Sequence, residues 1–105
     1  LSNRCINIIE QIEREAEHCK RLARFERSRE MYNAALIEAN NRDAVLIDKG
    51  THYQLFKGSL RAWFYPCTNT VFAMSYGQFR SHQVEVTAEV DVYDVLILFL
   101  DGVIK

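Results

Sequence analysis

From Cys5 onward an apolar or small residue returns at alternating steps of four and three: Cys5, Ile9, Ile12, Ala16, Cys19 and Ala23. That spacing keeps one stripe on one side of an α-helix. Past Ala23 the same seam would bury Glu26 and Glu30, and the apolar positions move instead to Leu22, Phe25, Tyr32, Leu36 and Ala39. Residues 1–41 contain neither glycine nor proline, so nothing in the stretch forces a break. The pattern predicts one long helix whose stripe drifts around its axis; the alternative is two helices meeting near Arg27-Ser28-Arg29. Ser2 or Asn3 offers a start cap and Asn40-Asn41 a stop. At a rise of about 1.5 Å per residue, such a helix outruns the domain that the rest of the chain can build. Part of it then projects or packs on a second copy.

From Arg42 the pattern changes. Asp48-Lys49-Gly50 is a turn signal, and His52-Tyr53-Gln54-Leu55-Phe56 reads as a short strand. Lys57-Gly58-Ser59 is a tight connection to an aromatic strand, Leu60 to Tyr65. Pro66-Cys67-Thr68-Asn69 turns the chain into a third strand, Thr70 to Ser75, and Tyr76-Gly77-Gln78 turns it again. Alternation places Trp63 and Tyr65 on one face of the sheet and Phe64 on the other, so one of these sets must be covered. Val84, Val86, Ala88, Val90 and Val92 alternate at period two, which gives a loop or short strand at 83–87. Asp91 and Asp94 then read as a helix start, with Val95, Leu96, Phe99 and Leu100 on one face and Gly102 as terminator. The expected fold is α+β: a long helix over 1–41, then a small domain over 42–105. That domain has three or four antiparallel strands (about 51–56, 60–65 and 70–75) and a short helix over about 91–101.

Composition narrows the function classes. Of 105 residues 49% are hydrophobic, which supports a core and excludes a disordered tail. Thirteen basic residues against fourteen acidic ones make neither a polyanion mimic nor a histone-like polycation. Cys5, Cys19 and Cys67 are an odd count without paired spacing, so no disulfide framework is expected and a reducing compartment is. The opening segment does not read as a signal peptide, since Glu10, Glu13 and Glu15 stand where an apolar run belongs. The longest apolar run, Val95 to Leu100, falls far short of the roughly 20 residues of a membrane span. A cytoplasmic protein without membrane contact is the expectation.

No catalytic constellation emerges. The three histidines and three cysteines show no CxxC, HxxxH or HExxH spacing, so neither metal nor cofactor is expected. Cys67 follows Pro66 in a turn, but nothing places His52 or His82 beside it as a base. Glu85, Glu89, Asp91, Asp94 and Asp101 match no calcium loop, and Asp91 and Asp94 are better used in a first helical turn. No enzyme is expected.

Binding is the remaining class. Early in the helix lie Glu10, Glu13, Glu15 and Glu17; later come Lys20, Arg21, Arg24, Arg27 and Arg29. This sorting suits the helix dipole and pairs four residues apart, and it also suits an antiparallel homodimer through Ile9, Ile12, Cys19, Phe25, Tyr32 and Leu36. Arg21, Arg24, Arg27 and Arg29, with Trp63 and Tyr65, are the candidates for contacting a protein partner, since Arg and large aromatics dominate binding hot spots. The alternative is nucleic acid. Residues 42–81 carry five basic and two acidic side chains interleaved with aromatics, with Lys49, Lys57, Arg61 and Arg80 as candidate contacts. A helix–three strands–helix order is also that of double-stranded RNA-binding domains.

The strands His52-Tyr53-Gln54-Leu55 and Trp63-Phe64-Tyr65-Pro66-Cys67-Thr68 carry a resemblance. They resemble a pattern in small accessory proteins of bacteriophages and prophages: a histidine–tyrosine strand, then a strand ending in an aromatic, a proline, a small residue and a threonine, with a short helix closing the unit. Cys67, Asn69 and Thr70 stand where that pattern has a small hydroxyl residue, a glycine and a lysine. The resemblance covers 51–102 and leaves the first helix aside. It implies a phage-type accessory protein in the host cytoplasm that binds a host protein stoichiometrically, with inhibitors of host defence such as anti-CRISPR proteins as one subset.

Overall fold

The computed structural model describes residues 2–75 and 82–104, with side chains from Gln11 onward. The first element is a single unbroken helix, α1, Ser2–Asn41. Forty residues at about 1.5 Å each reach about 60 Å, and the molecule's longest extent is 60 Å. The residue that turns the chain out of the helix is Asp43. It takes a left-handed φ of 56°, and the amides of Arg42 and Ala44 both return to the Ala39 carbonyl, at 3.1 and 2.9 Å. Aspartate tolerates this conformation because its short polar side chain eases the strain a branched residue would feel.

The sheet has five antiparallel strands where three or four were expected. In chain order and in space they run β1 (Val45–Asp48), β2 (Tyr53–Lys57), β3 (Leu60–Tyr65), β4 (Thr70–Ser75) and β5 (His82–Val84). β1 escapes sequence reading because four residues are too few to display alternation; its partner across the Asp48-Lys49-Gly50 turn defines it, with Val45 opposite Phe56 and Asp48 opposite Tyr53. β5 is shorter than the alternation at 84–92 suggests and sits at 82–84, pairing Val84 with Val71. The proposed turn Tyr76-Gly77-Gln78 lies outside the described residues.

Register sorts the two sheet faces cleanly. Leu46, Leu55, Ala62 and Ala73 form one cross-strand row, and Tyr53, Phe64 and Val71 the next. All of these are buried. They face both helices: the second half of α1, and α2 (Val92–Leu100), whose Val92, Val95, Leu96 and Phe99 are buried. Among the described side chains of α1 the buried ones are Ser28, Ala35 and Ala39, all small, so its backbone lies close to the layer beneath. Tyr32 of α1 stacks on Tyr53 at 5.6 Å between ring centroids, and Leu36 packs against the same core. These two residues, expected at a dimer seam, belong to the chain's own interior. Of the other seam candidates on the first half of α1, Ile12 and Cys19 are exposed, and the side chain of Ile9 lies outside those described.

α2 begins as its sequence predicts. Asp91 accepts from the Asp94 amide at 2.9 Å while the Asp94 carboxylate accepts from the Asp91 amide at 3.2 Å. This reciprocal pair satisfies two amides that an uncapped start would leave open. The helix closes at Gly102, φ 78°, after which Ile104 folds back into the core. No described helix is long and apolar enough to cross a membrane.

Candidate functional site

With both helices on one side of the sheet, no described helix covers the other side, whose residues are half-buried against one another apart from the exposed Val45 and Gln83. Register gives its composition. One cross-strand row is Ile47, Gln54, Trp63, Phe72 and Gln83; its neighbour is Val45, Phe56, Arg61 and Met74. Tyr65 and Thr70 follow at the end where the chain enters a 3₁₀ turn, Pro66–Thr68. A sheet with one solvated face ordinarily alternates apolar-in with polar-out. Here the outward face is largely apolar and aromatic.

The face is ordered by its own contacts. His52 stacks on Tyr65 at 4.9 Å, and Tyr65 meets Phe72 edge to face at 5.9 Å. The Arg61 guanidinium lies over the Phe56 ring at 4.8 Å and donates to the Gly58 and Leu60 carbonyls at 2.8 and 2.9 Å. Arg61 is therefore held flat across the face, and its charge is partly answered by the chain itself.

Beside Tyr65 the face runs into a crevice of about 460 Å³ between α1 and the β1–β2 turn. Leu22 and Phe25 of α1 line one wall, Gly50 and Thr51 another, and Tyr65, Cys67 and Thr68 a third; His18 and Arg21 complete the lining. Leu22 remains 48% exposed. Phe25, expected in a dimer seam, lines this crevice and lies under the Arg29 guanidinium at 5.9 Å.

The four helix arginines are not gathered with Trp63 and Tyr65. Arg24 makes a two-pronged pair with Glu89, 2.8 Å from Nε and 2.7 Å from Nη2, and donates to the Cys67 carbonyl at 3.1 Å. The hydrogen bond from Arg24 holds the Glu89 carboxyl below its usual range, and the same bond raises Arg24 above its own. Arg27 approaches Glu89 at 3.5 Å, and Arg21 pairs with Glu17 at 3.5 Å. Arg24 is thus a latch between α1, the 3₁₀ turn and the loop before α2. Only Arg21, in the crevice wall, shares a surface with Tyr65.

The cations proposed for nucleic acid fare no better as a set. Lys57 pairs in register with Leu60 and so falls on the helix side of the sheet, while Arg61 falls on the open side. Lys49 sits in the β1–β2 turn, and Arg80 lies outside the described residues. The carboxylates are likewise employed: Glu89 in the latch, Asp91 and Asp94 in the cap, and Asp101 3.7 Å from Arg42. Among the described residues no group of His, Cys, Asp and Glu could hold a metal ion.

Trp63 and Tyr65 share this face as their alternation in the sequence implies, while most of what surrounds them comes from strand pairing. Phe56, Phe72 and Met74 join them through strand pairing, and Val45 and Ile47 join through a strand that alternation could not reveal. Comparison with protein-family models, curated proteins and solved structures found no match.

Proposed function

We propose that this chain is a non-enzymatic accessory protein of the phage type, which binds a host protein stoichiometrically through the open face of its sheet. The observation that supports this reading is the aromatic and aliphatic row on the side of the sheet opposite the helices. Exposed apolar surface that is contiguous, rimmed by polar groups and backed by a rigid core is characteristic of interaction sites. Five strands spaced about 4.8 Å apart and about five residues long give roughly 400 Å² of flat area. A stable interface covers roughly 800 Å² on each partner, so the partner also engages the crevice beside Tyr65. Trp63, Tyr65, Phe72 and Phe56 are the anchors; Arg21 contributes at the crevice.

The role as an inhibitor of host defence, an anti-CRISPR protein being one such case, comes from the hairpin pattern at His52–Leu55 and Trp63–Thr68. The contact surface comes from the geometry. A nucleic-acid reading draws less support, because phosphate binding needs several cations on one surface and among the described residues of its strands the open face offers Arg61.

The test is capture from a bacterial lysate on immobilised wild-type protein and on a Trp63→Gln, Phe72→Gln double variant whose circular dichroism is unchanged. The expected result is a host protein held one to one by the wild type and lost by the variant. Equal recovery on both, or recovery of nucleic acid that washes off as salt rises, would overturn the reading.

A further inference from the structure

We infer that the projecting half of α1 is a self-association surface, pairing antiparallel with the same stretch of a second copy over residues 12–23. Every residue from Gln11 to Ala23 is exposed, Ile12 by 60%. An isolated helix of this length is marginal in water without tertiary packing. The two apolar stripes of α1 have separate destinations. Phe25, Tyr32 and Leu36 belong to the crevice and the core. Ile12, Ala16, Cys19 and Ala23 stand roughly 120–180° of rotation from the buried line of Ser28, Ala35 and Ala39, at about 100° per residue. From Ile12 to Cys19 the seam therefore faces away from the chain's own domain; at its far end Ala23 and Lys20 line a groove with Arg24, Arg27 and Glu89, along which a second helix would run.

Charge selects the occupant and its direction. Glu13, Glu15 and Glu17 lie at one end of this stretch, Lys20 and Arg21 at the other. An antiparallel second copy sets each end against its opposite over the whole stretch, whereas a parallel one sets like ends side by side and has Glu15 beside Lys20 as its favourable contact. Charge also selects the register. With Ile12 facing Ala16 of the second copy, Glu13 and Glu15 would meet their own counterparts. With Ala16 facing Cys19 and Ile12 facing Ala23, Glu13 flanks Lys20 of the second copy, and the symmetry makes this contact twice. Small Ala16, Cys19 and Ala23 let the two backbones approach closely.

The experiment is sedimentation equilibrium of the full chain, wild type, Glu13→Lys, Lys20→Glu, and an equimolar mixture of the two variants. Both positions are exposed, so circular dichroism should show each variant folded. The wild type should dimerise, and each variant alone should dimerise about tenfold more weakly or worse, as reversal of two exposed pairs implies. The mixture should regain wild-type affinity. In a mixed pair the introduced lysine of one copy meets the introduced glutamate of the other, and the second contact keeps its native Glu13 and Lys20. A wild type that stays monomeric up to about 1 mM, the weak end of specific association, would overturn the proposal. So would variants that dimerise as well as the wild type, or a mixture no tighter than its components; in a parallel pair Glu15 rather than Glu13 flanks Lys20.

Discussion

Asn69 shows how much a single side chain can fix. It ends the 3₁₀ turn in the left-handed region at φ 52°, donates to the Ala88 carbonyl at 3.0 Å and accepts from the Val90 amide at 3.4 Å. Asparagine is among the few residues that combine this backbone with a side chain able to bond in both directions. Asn69→Gly keeps the backbone and loses both bonds, at a cost of about 1–2 kcal/mol. Asn69→Ala adds strain to that loss and costs about 1 kcal/mol more; urea denaturation of the three proteins checks the order. Tyr53 gives a pH signature. Burial, reinforced by Asp48, pushes its phenol up to about 12 from an ordinary value near 10. The folded state holds this proton after the unfolded state has released it, so the stability it contributes is complete below pH 10 and is lost as pH rises towards 12. The wild-type stability curve should fall over that interval more steeply than that of Tyr53→Phe, as measured by denaturant midpoint against pH.

Among elements, α1 divides into two halves with different physics. Residues 24–39 are held by burial, by the Tyr32–Tyr53 stack and by the Arg24–Glu89 latch, whereas 11–23 are exposed and rest on helix propensity, on pairs such as Glu17–Arg21 and, from His18 to Leu22, on the rim of the crevice. Amide hydrogen exchange at low protein concentration should be much faster in 11–22 than in 28–39; uniform protection across the helix in dilute solution would contradict this division. The elements were unequally legible in the sequence. α1, β3, β4 and the capped start of α2 could be read because each carries a long periodic pattern or a local capping signal. β1 could not, since Val45-Leu46-Ile47 is apolar at every position and only pairing with β2 assigns its faces. The drift of the α1 stripe was visible, but its meaning was not: Phe25, Tyr32 and Leu36 turn inward because a sheet lies there, which no helical periodicity encodes.

At the scale of the molecule, the arrangement is a two-layer fold with all its helical cover on one side. That leaves Trp63, Tyr65, Phe72, Phe56 and Met74 on a rigid platform whose backing residues, Leu55, Phe64 and Val71, are fully buried. Trp63 and Tyr65 were legible as aromatics of one sheet face, whereas the engagement of Arg24 was not, because Arg24 answers Glu89 across 65 positions of chain and only the fold brings them together. The central claim is that this platform is open in the free protein and covered in the bound one. Trp63 is the chain's single tryptophan, so fluorotryptophan labelling gives one fluorine NMR resonance at the middle of the face. In the free protein that resonance should respond to a soluble paramagnetic agent, and on addition of host lysate it should shift, broaden and lose that response. A resonance already shielded in the free protein, or one that stays exposed while a host protein is bound, would contradict the account.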